Sequence, residues 1–214
     1  MVKVYGTDIR KLPDPREVPE LLWELTEERR ERTLRYRQTE DRKRSLGAGL
    51  LLAKILPCYG VSPEAVRQGE DGKPHVEGCC FNLSHSGDVA VCAVGVEPVG
   101  CDVEKIAGAP RRVAERFFHR NEAAYLRQCG EAERDTLFFR FWTMKESYLK
   151  MTGEGMRLSL DRIEFRIEPE GIRVFRDGGP LPCHIQEYAL PEYRIAVCSR
   201  EDQFAETIEY VEIG

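Results

Sequence analysis

The chain has 214 residues and a mass of 24.6 kDa, with 42% apolar and 32% charged residues, the composition of a soluble globular protein of one large or two small domains. Thirty-two basic against 37 acidic side chains leave a net charge of −5, which argues against a general nucleic-acid coat. No stretch approaches the ~20 apolar residues of a membrane helix, and the opening MVKVYGTDIRKLPD lacks an apolar signal core, so the expected setting is the reducing cytoplasm, away from membranes.

Residues 2–5 read as an opening strand, and Pro13, Pro15 and Pro19 mark a loop. Thr26 before Glu27 and Glu28 reads as a helix start. Residues 29–44 hold eight Arg or Lys against three acids, which suits either a solvated helical face or phosphate binding. Residues 45–56 continue as a buried helix that Pro57 and Gly60 end, and 69–78 is rich in turns. The stretch 81–95 leads into VAVCAVG, a buried strand, and 99–103 predicts another before a linker at 105–110. Residues 111–129 are helical by pattern. In 136–151, Leu137, Phe141, Met144, Tyr148 and Met151 step by four and three, as on a helix face. Strands are expected at 162–167, 172–175, 183–188 and 193–199. Ile195-Ala196-Val197-Cys198 echoes Val89-Ala90-Val91-Cys92 about half a chain away, with a buried helix ahead of each. The expectation is an α+β fold of two similar α/β halves, 1–104 and 105–214, related by a pseudo-two-fold with the active site in the cleft between them.

The eight cysteines include no CxxC pair, and adjacent Cys79 and Cys80 cannot form a zinc corner, so they read as reduced structural thiols. Asp102 and Glu104 are two apart in a short strand, which puts both carboxylates on one face. Such a pair suits Mg²⁺ or a polar strand end facing water. Trp142, Glu146 and Lys150 form one helical stripe. An exposed Glu–Lys pair is the ordinary reading of that spacing, but flanking Phe138, Phe139, Phe141 and Met144 make the helix largely buried, so the charges call for a partner or a ligand. A carboxylate from this helix would complete a three-acid Mg²⁺ site. Ser84-His85-Ser86 is no hydrolase signature, because strand neighbours point opposite ways and no GxSxG elbow exists; a histidine beside two hydroxyls suits a phosphate or ribose. Gly72-Lys73-Pro74 is a turn that holds a lysine at a set angle, and no P-loop is found.

GKP at 72–74, FNLSHSG at 81–87, GCDVE at 100–104 and RFWTMKESYLK at 140–150 stand in the order found in the 4′-phosphopantetheinyl transferases. With the Arg-rich front, RFFHRNEAAYL at 116–126 and the PCHIQEYALPEYRIAVCS tail, the chain resembles the surfactin-synthetase-activating (Sfp-like) type over nearly its whole length. The resemblance implies that type's fold. It also implies transfer of 4′-phosphopantetheine from coenzyme A to a serine of an apo acyl or peptidyl carrier protein, with release of adenosine 3′,5′-bisphosphate. Asp102, Glu104 and Glu146 would then bind Mg²⁺, with Mn²⁺ as a substitute. Ser84, His85 and Lys150 would contact the phosphates, and Lys73 and Pro74 would lie against the adenine and its phosphate. Arg44 matches the arginine that meets the 3′-phosphate, while Arg29 and Arg32 fall at nearby basic positions where lysines are commoner. Cys101 stands where isoleucine or valine is frequent. Glu146, directly or through a metal-bound water, is the expected base, with Lys150 stabilising the leaving group and His85 beside them.

The carrier would belong to fatty-acid, polyketide or nonribosomal peptide synthesis. It would dock on Arg111, Arg112, Arg116, Phe117, Phe118, Arg120 and Tyr125, unless these merely form an amphipathic helix. The duplication implies a monomer. The alternative, a catalytically silent binding module for the carrier or coenzyme A, would be expected to lack one of the three acids, and all three are present.

Overall fold

The chain folds, in the computed structural model, as β1 (Lys3–Asp8), α1 (Pro19–Leu22), α2 (Glu27–Arg35), α3 (Thr39–Ile55), β2 (Arg67–Gln68), β3 (Pro74–His75), β4 (Cys80–Ser86), β5 (Val89–Gly95), β6 (Val99–Lys105), α4 (Arg111–Phe117), α5 (Arg120–Gln128), α6 (Glu131–Thr152), β7 (Ile163–Glu168), β8 (Gly171–Arg176), β9 (Gly179–Pro180), β10 (His184–Leu190), β11 (Tyr193–Ser199) and β12 (Glu209–Tyr210). The described residues are 1–69 and 72–213, without the side chains of Arg111 and Met156. The turn expected over 69–78 therefore includes two positions, 70 and 71, outside the described residues.

The fold is α+β. One sheet has the order β12-β1-β5-β4 and a second the order β10-β11-β6. All pairings are antiparallel except β1 with β12. The two sheets pack face to face, and a helix covers each outer face. Ala90, Cys92 and Val94 of β5 meet Leu46, Leu50 and Ile55 of α3. Val91 and Ala93, on the opposite face, meet Cys101, Val103, Ile195 and Val197 of the second sheet. Ala196 and Cys198 of β11 then meet Met144, Tyr148 and Met151 of α6. The echoing VAVC and IAVC runs are continuously apolar because each lies in a middle strand covered on both faces. β6 pairs with β11 in the second sheet, and β12, from the end of the chain, adds to β1 in the first. Among the described residues no helix is long and apolar enough to cross a membrane.

Two stretches that read as single helices are each two. The Arg-rich segment breaks at Tyr36–Gln38, where Tyr36 and Gln38 are extended. Arg42 holds the corner. It is buried, donating from Nη1 to the carbonyls of Tyr36 (3.1 Å) and Arg37 (2.7 Å) and from Nε to Asp14 Oδ1 (2.9 Å). One of the eight basic residues of that run is therefore a structural brace rather than a surface charge. The second break falls at Phe118–His119. There His119 caps α5, and Glu122 completes a capping box. Phe118 turns into the core against Phe138 and Trp142, which removes it from the docking surface expected over 111–127. The Arg111 side chain, expected on the same surface, lies outside the described residues. α6 begins five residues earlier than the apolar stepping implies, because its first turn is polar and solvated.

Candidate active site

β4 and β6 are the facing edges of the two sheets, and α6 lies directly on β6. Gly100 permits that contact: a Cβ there would stand 2.1 Å from the Ser147 carbonyl oxygen and 2.3 Å from the Met151 nitrogen. No side chain fits, so strand and helix touch backbone to backbone, and Asp102 comes within reach of Lys150.

Side chains join the two sheet edges. Asn82 Oδ1 accepts from the Cys101 N–H (2.9 Å), Ser84 Oγ from Val103 (3.2 Å) and Ser86 Oγ from Lys105 (3.1 Å). Ser84 Oγ donates to Asp102 Oδ1 (2.9 Å), and Ser86 Oγ to Glu104 Oε2 (2.9 Å). Lys150 Nζ donates to Asp102 Oδ1 (2.6 Å) and Ser84 Oγ (3.0 Å). The Ser84 hydroxyl, accepting twice and donating once, is fully used within the protein.

A cavity of about 680 Å³ opens on this junction. Its lining includes Arg29, Arg32, Lys73, Pro74, Ser84, His85, Asp102, Glu104, Trp142, Glu146 and Lys150. The structure thus gathers every expected site residue on one cavity except Arg44, whose guanidinium pairs with Asp41 (2.6 Å). Lys73 Nζ donates to the carbonyls of Val99 (3.2 Å) and Lys150 (2.6 Å), the latter near the C-terminal end of α6. Arg29 lies over Gly49 of α3, where a Cβ would come within 2.8 Å of Nε. That Nε is buried without a hydrogen-bond partner. Burial and then Arg32 push the Arg29 pKa down to about 10, which leaves a desolvated cation suited to an anionic ligand.

Electrostatic strain is concentrated here. Burial and Asp102 push both Glu104 and Glu146 upward, with Glu146 adding to the effect on Glu104. Burial opposes the Lys150 charge, but Asp102, Cys101 and Glu146 together outweigh it and hold the ammonium up. Burial, then Arg29, Lys150 and Arg44, push the His85 imidazole down to about 4, although the residue keeps an exposed face.

Asp102 Oδ2 is buried and has no hydrogen-bond partner, while Oδ1 takes both Ser84 and Lys150. Among the described residues no three Asp, Glu, His or Cys side chains already form a metal-holding cluster. A magnesium ion keeps several waters and is held by carboxylates beside substrate phosphates, so the acids need not close on one another before the ligand arrives. The hard oxygen donors of Asp102, Glu104 and Glu146, one of them orphaned, fit that ion.

Sequence reasoning missed Glu122 and Lys145. Successive residues of α6 point about 100° apart, so Lys145 turns into the core while Glu146 faces the cavity. Lys145 Nζ meets Glu122 Oε2 (2.8 Å) and the carbonyls of Leu160 (3.0 Å) and Ile163 (2.7 Å). Glu122 also accepts from the N–H groups of His119 (2.9 Å) and Phe165 (2.8 Å). Nothing in local spacing reveals this pair. The alternation of Asn82, Ser84 and Ser86 against Cys101, Val103 and Lys105 was legible, but only once β4 and β6 are known to face each other.

The model of the 4′-phosphopantetheinyl transferase superfamily matches residues 98–198. A 4′-phosphopantetheinyl transferase of Bacillus subtilis is 33% identical over 97% of this chain and 96% of its own. The chain belongs to the 4′-phosphopantetheinyl transferase family. It is similar as well to the transferase Sfp of Bacillus subtilis strain 168, at 30% identity over 98% of this chain and 97% of that one. The psf-1 transferase of Bacillus pumilus is 32% identical over 97% of this chain and 94% of its own. The protein is therefore an enzyme, a 4′-phosphopantetheinyl transferase, and the activity of its family is the transfer of 4′-phosphopantetheine to carrier proteins.

Proposed function

We propose that the cavity between β4, β6 and α6 binds coenzyme A with Mg²⁺ and passes the 4′-phosphopantetheine arm to the serine of an apo acyl or peptidyl carrier protein, releasing adenosine 3′,5′-bisphosphate. The observation that carries this reading is the pairing of opposite charges on one cavity: its lining holds three carboxylates together with Arg29, Arg32, Lys73 and Lys150. A diphosphate needs both, cations to meet its oxygens directly and acids to hold a divalent ion between it and the protein.

Asp102, Glu104 and Glu146 would hold the Mg²⁺, and Mn²⁺ would serve in its place. Bound there, such an ion would supply charge neutralisation at the pyrophosphate. The chain's own residues do the rest. Arg29 and Arg32 receive the phosphate of the adenosine end, and Arg44 reaches it by leaving Asp41. Pro74 packs against the adenine while Lys73 fixes the turn beneath it. His85, neutral at pH 7, donates its ring N–H to a phosphate oxygen, while Ser84 braces Asp102 and Lys150 beside it. Among the described residues no group hydrogen-bonds the Glu146 carboxylate, so one of its two oxygens is left to take the proton from the carrier serine while the other holds the ion. Lys150 stays charged and meets the oxygen that leaves with the bisphosphate.

The two-half division at 1–104 and 105–214, action as a cytoplasmic monomer, and service to fatty-acid, polyketide or nonribosomal peptide carriers belong to the same reading. All the expected site residues but Arg44 line that cavity within one chain, so a second copy is not needed to complete it. Exposed Arg112, Arg116, Arg120 and Tyr125, with half-buried Phe117, offer a basic rim to an acidic carrier. The test is mass spectrometry of an apo carrier incubated with coenzyme A and Mg²⁺, with Asp102→Ala and Glu146→Ala as variants. One added phosphopantetheine with the wild type and none with either variant is expected. Full transfer by both variants would remove the proposed site.

A further inference from the structure

The splice between the two sheets repeats one arrangement twice. Ser84 and Ser86, two apart on β4, face Asp102 and Glu104, two apart on β6. Each serine accepts the N–H of the residue after its acid and donates to that acid, at 2.9 Å in both cases. The incoming N–H occupies one side of each hydroxyl oxygen, so the hydroxyl proton is directed at the carboxylate. The copies differ in one respect. Asp102 is held by Ser84 and by Lys150, whereas among the described residues Ser86 is the only hydrogen-bond donor to Glu104.

We propose that Ser86 is a positioning residue of the transferase: through its hydrogen bond it holds the Glu104 carboxylate on the cavity wall, as Ser84 holds Asp102. Glu104 has three rotatable side-chain bonds and two like charges beside it, Asp102 and Glu146, which repel it from the site. The Lys150 charge and the Ser86 hydrogen bond oppose that repulsion, but among the described residues only Ser86 bonds the carboxylate, and its own orientation is set by the Lys105 N–H. Its role in the reaction rests on the reading of Glu104 as a metal ligand; its hold on Glu104 does not. An outer hydroxyl that orients a ligand carboxylate is the kind of group whose loss weakens metal affinity without altering the ligand set.

The experiment compares Ser86→Ala, Ser86→Thr and Glu104→Gln. Mn²⁺ affinity is followed by electron paramagnetic resonance without coenzyme A, alongside the thermal midpoint and a crystal structure of Ser86→Ala. Ser86→Ala is expected to bind Mn²⁺ about 10–100-fold more weakly with little change in midpoint, while Ser86→Thr, which keeps the hydroxyl, stays within about threefold of wild type. Unchanged Mn²⁺ affinity in Ser86→Ala, with Glu104→Gln weakened, overturns the proposal and leaves the metal reading standing. Unchanged affinity in Glu104→Gln instead removes Glu104 from the metal site. The crystal structure of Ser86→Ala then decides: a Glu104 carboxylate still in place overturns the proposal, and a displaced one upholds it.

Discussion

Lys150 on α6 and Asp102 on β6 meet at 2.6 Å, across the seam where helix and strand touch through Gly100. The ammonium occupies one oxygen of the carboxylate and leaves the other buried and unpaired. One residue therefore both balances an acid of the site and faces the cavity with its charge intact. Lys150→Met should lower kcat for carrier labelling by about 10²–10³-fold, as removal of one preorganised donor does. Stopped-time mass spectrometry with saturating coenzyme A measures this, and a loss under fivefold would contradict it.

Gly100→Ala should damage the site without touching any charged group. The added methyl meets backbone atoms at 2.1 and 2.3 Å, so β6 must move away from α6. The cost is about 1–3 kcal/mol or more, read from urea midpoints, and activity should fall further than stability explains because the Lys150–Asp102 pair opens.

The Lys145–Glu122 pair belongs to the core rather than to the chemistry. Lys145→Met leaves a buried carboxylate without its counter-ion, at a cost of about 3–5 kcal/mol. Replacing both residues with apolar ones should recover much of that loss. Equal midpoints for wild type and Lys145→Met in chemical denaturation would refute the assignment.

Burial and the neighbouring cations Arg29, Lys150 and Arg44 give the protein an acid-sensitive component at His85. Its folded pKa of about 4 lies below the ~6.5 of an unfolded histidine. Between those values the unfolded chain takes a proton that the folded chain refuses, so stability falls as pH drops from about 6.5 toward 4. His85→Gln should flatten that part of the thermal midpoint against pH. Adenosine 3′,5′-bisphosphate, placing negative charge beside the ring, should raise the His85 pKa in a proton NMR titration.

Arg112 and Arg116 are exposed on α4, clear of the cavity lining. Reversing both to Glu should raise the KM for an acidic carrier by about tenfold while leaving that for coenzyme A alone, and the difference should shrink at high salt. Unchanged carrier KM at low salt would discard this docking face.

The sequence by itself determined what each element carries and on which face. Period two set Asp102 and Glu104 side by side, and a spacing of four placed Glu146 and Lys150 on one stripe. Apolar runs at 89–95 and 195–198 announced strands covered on both sides. These signals are local, because helix and strand geometry repeats every few residues. Only the tertiary structure decided which edges meet. Nothing in FNLSHSG states that its serines will stand against GCDVE, that Arg42 will turn inward to brace a corner with Asp14, or that Lys145 will pair with Glu122 while its neighbour Glu146 faces the cavity. Those contacts join residues far apart along the chain. Their partners are chosen by the packing of two sheets and two helices as a whole, which no short window of sequence encodes.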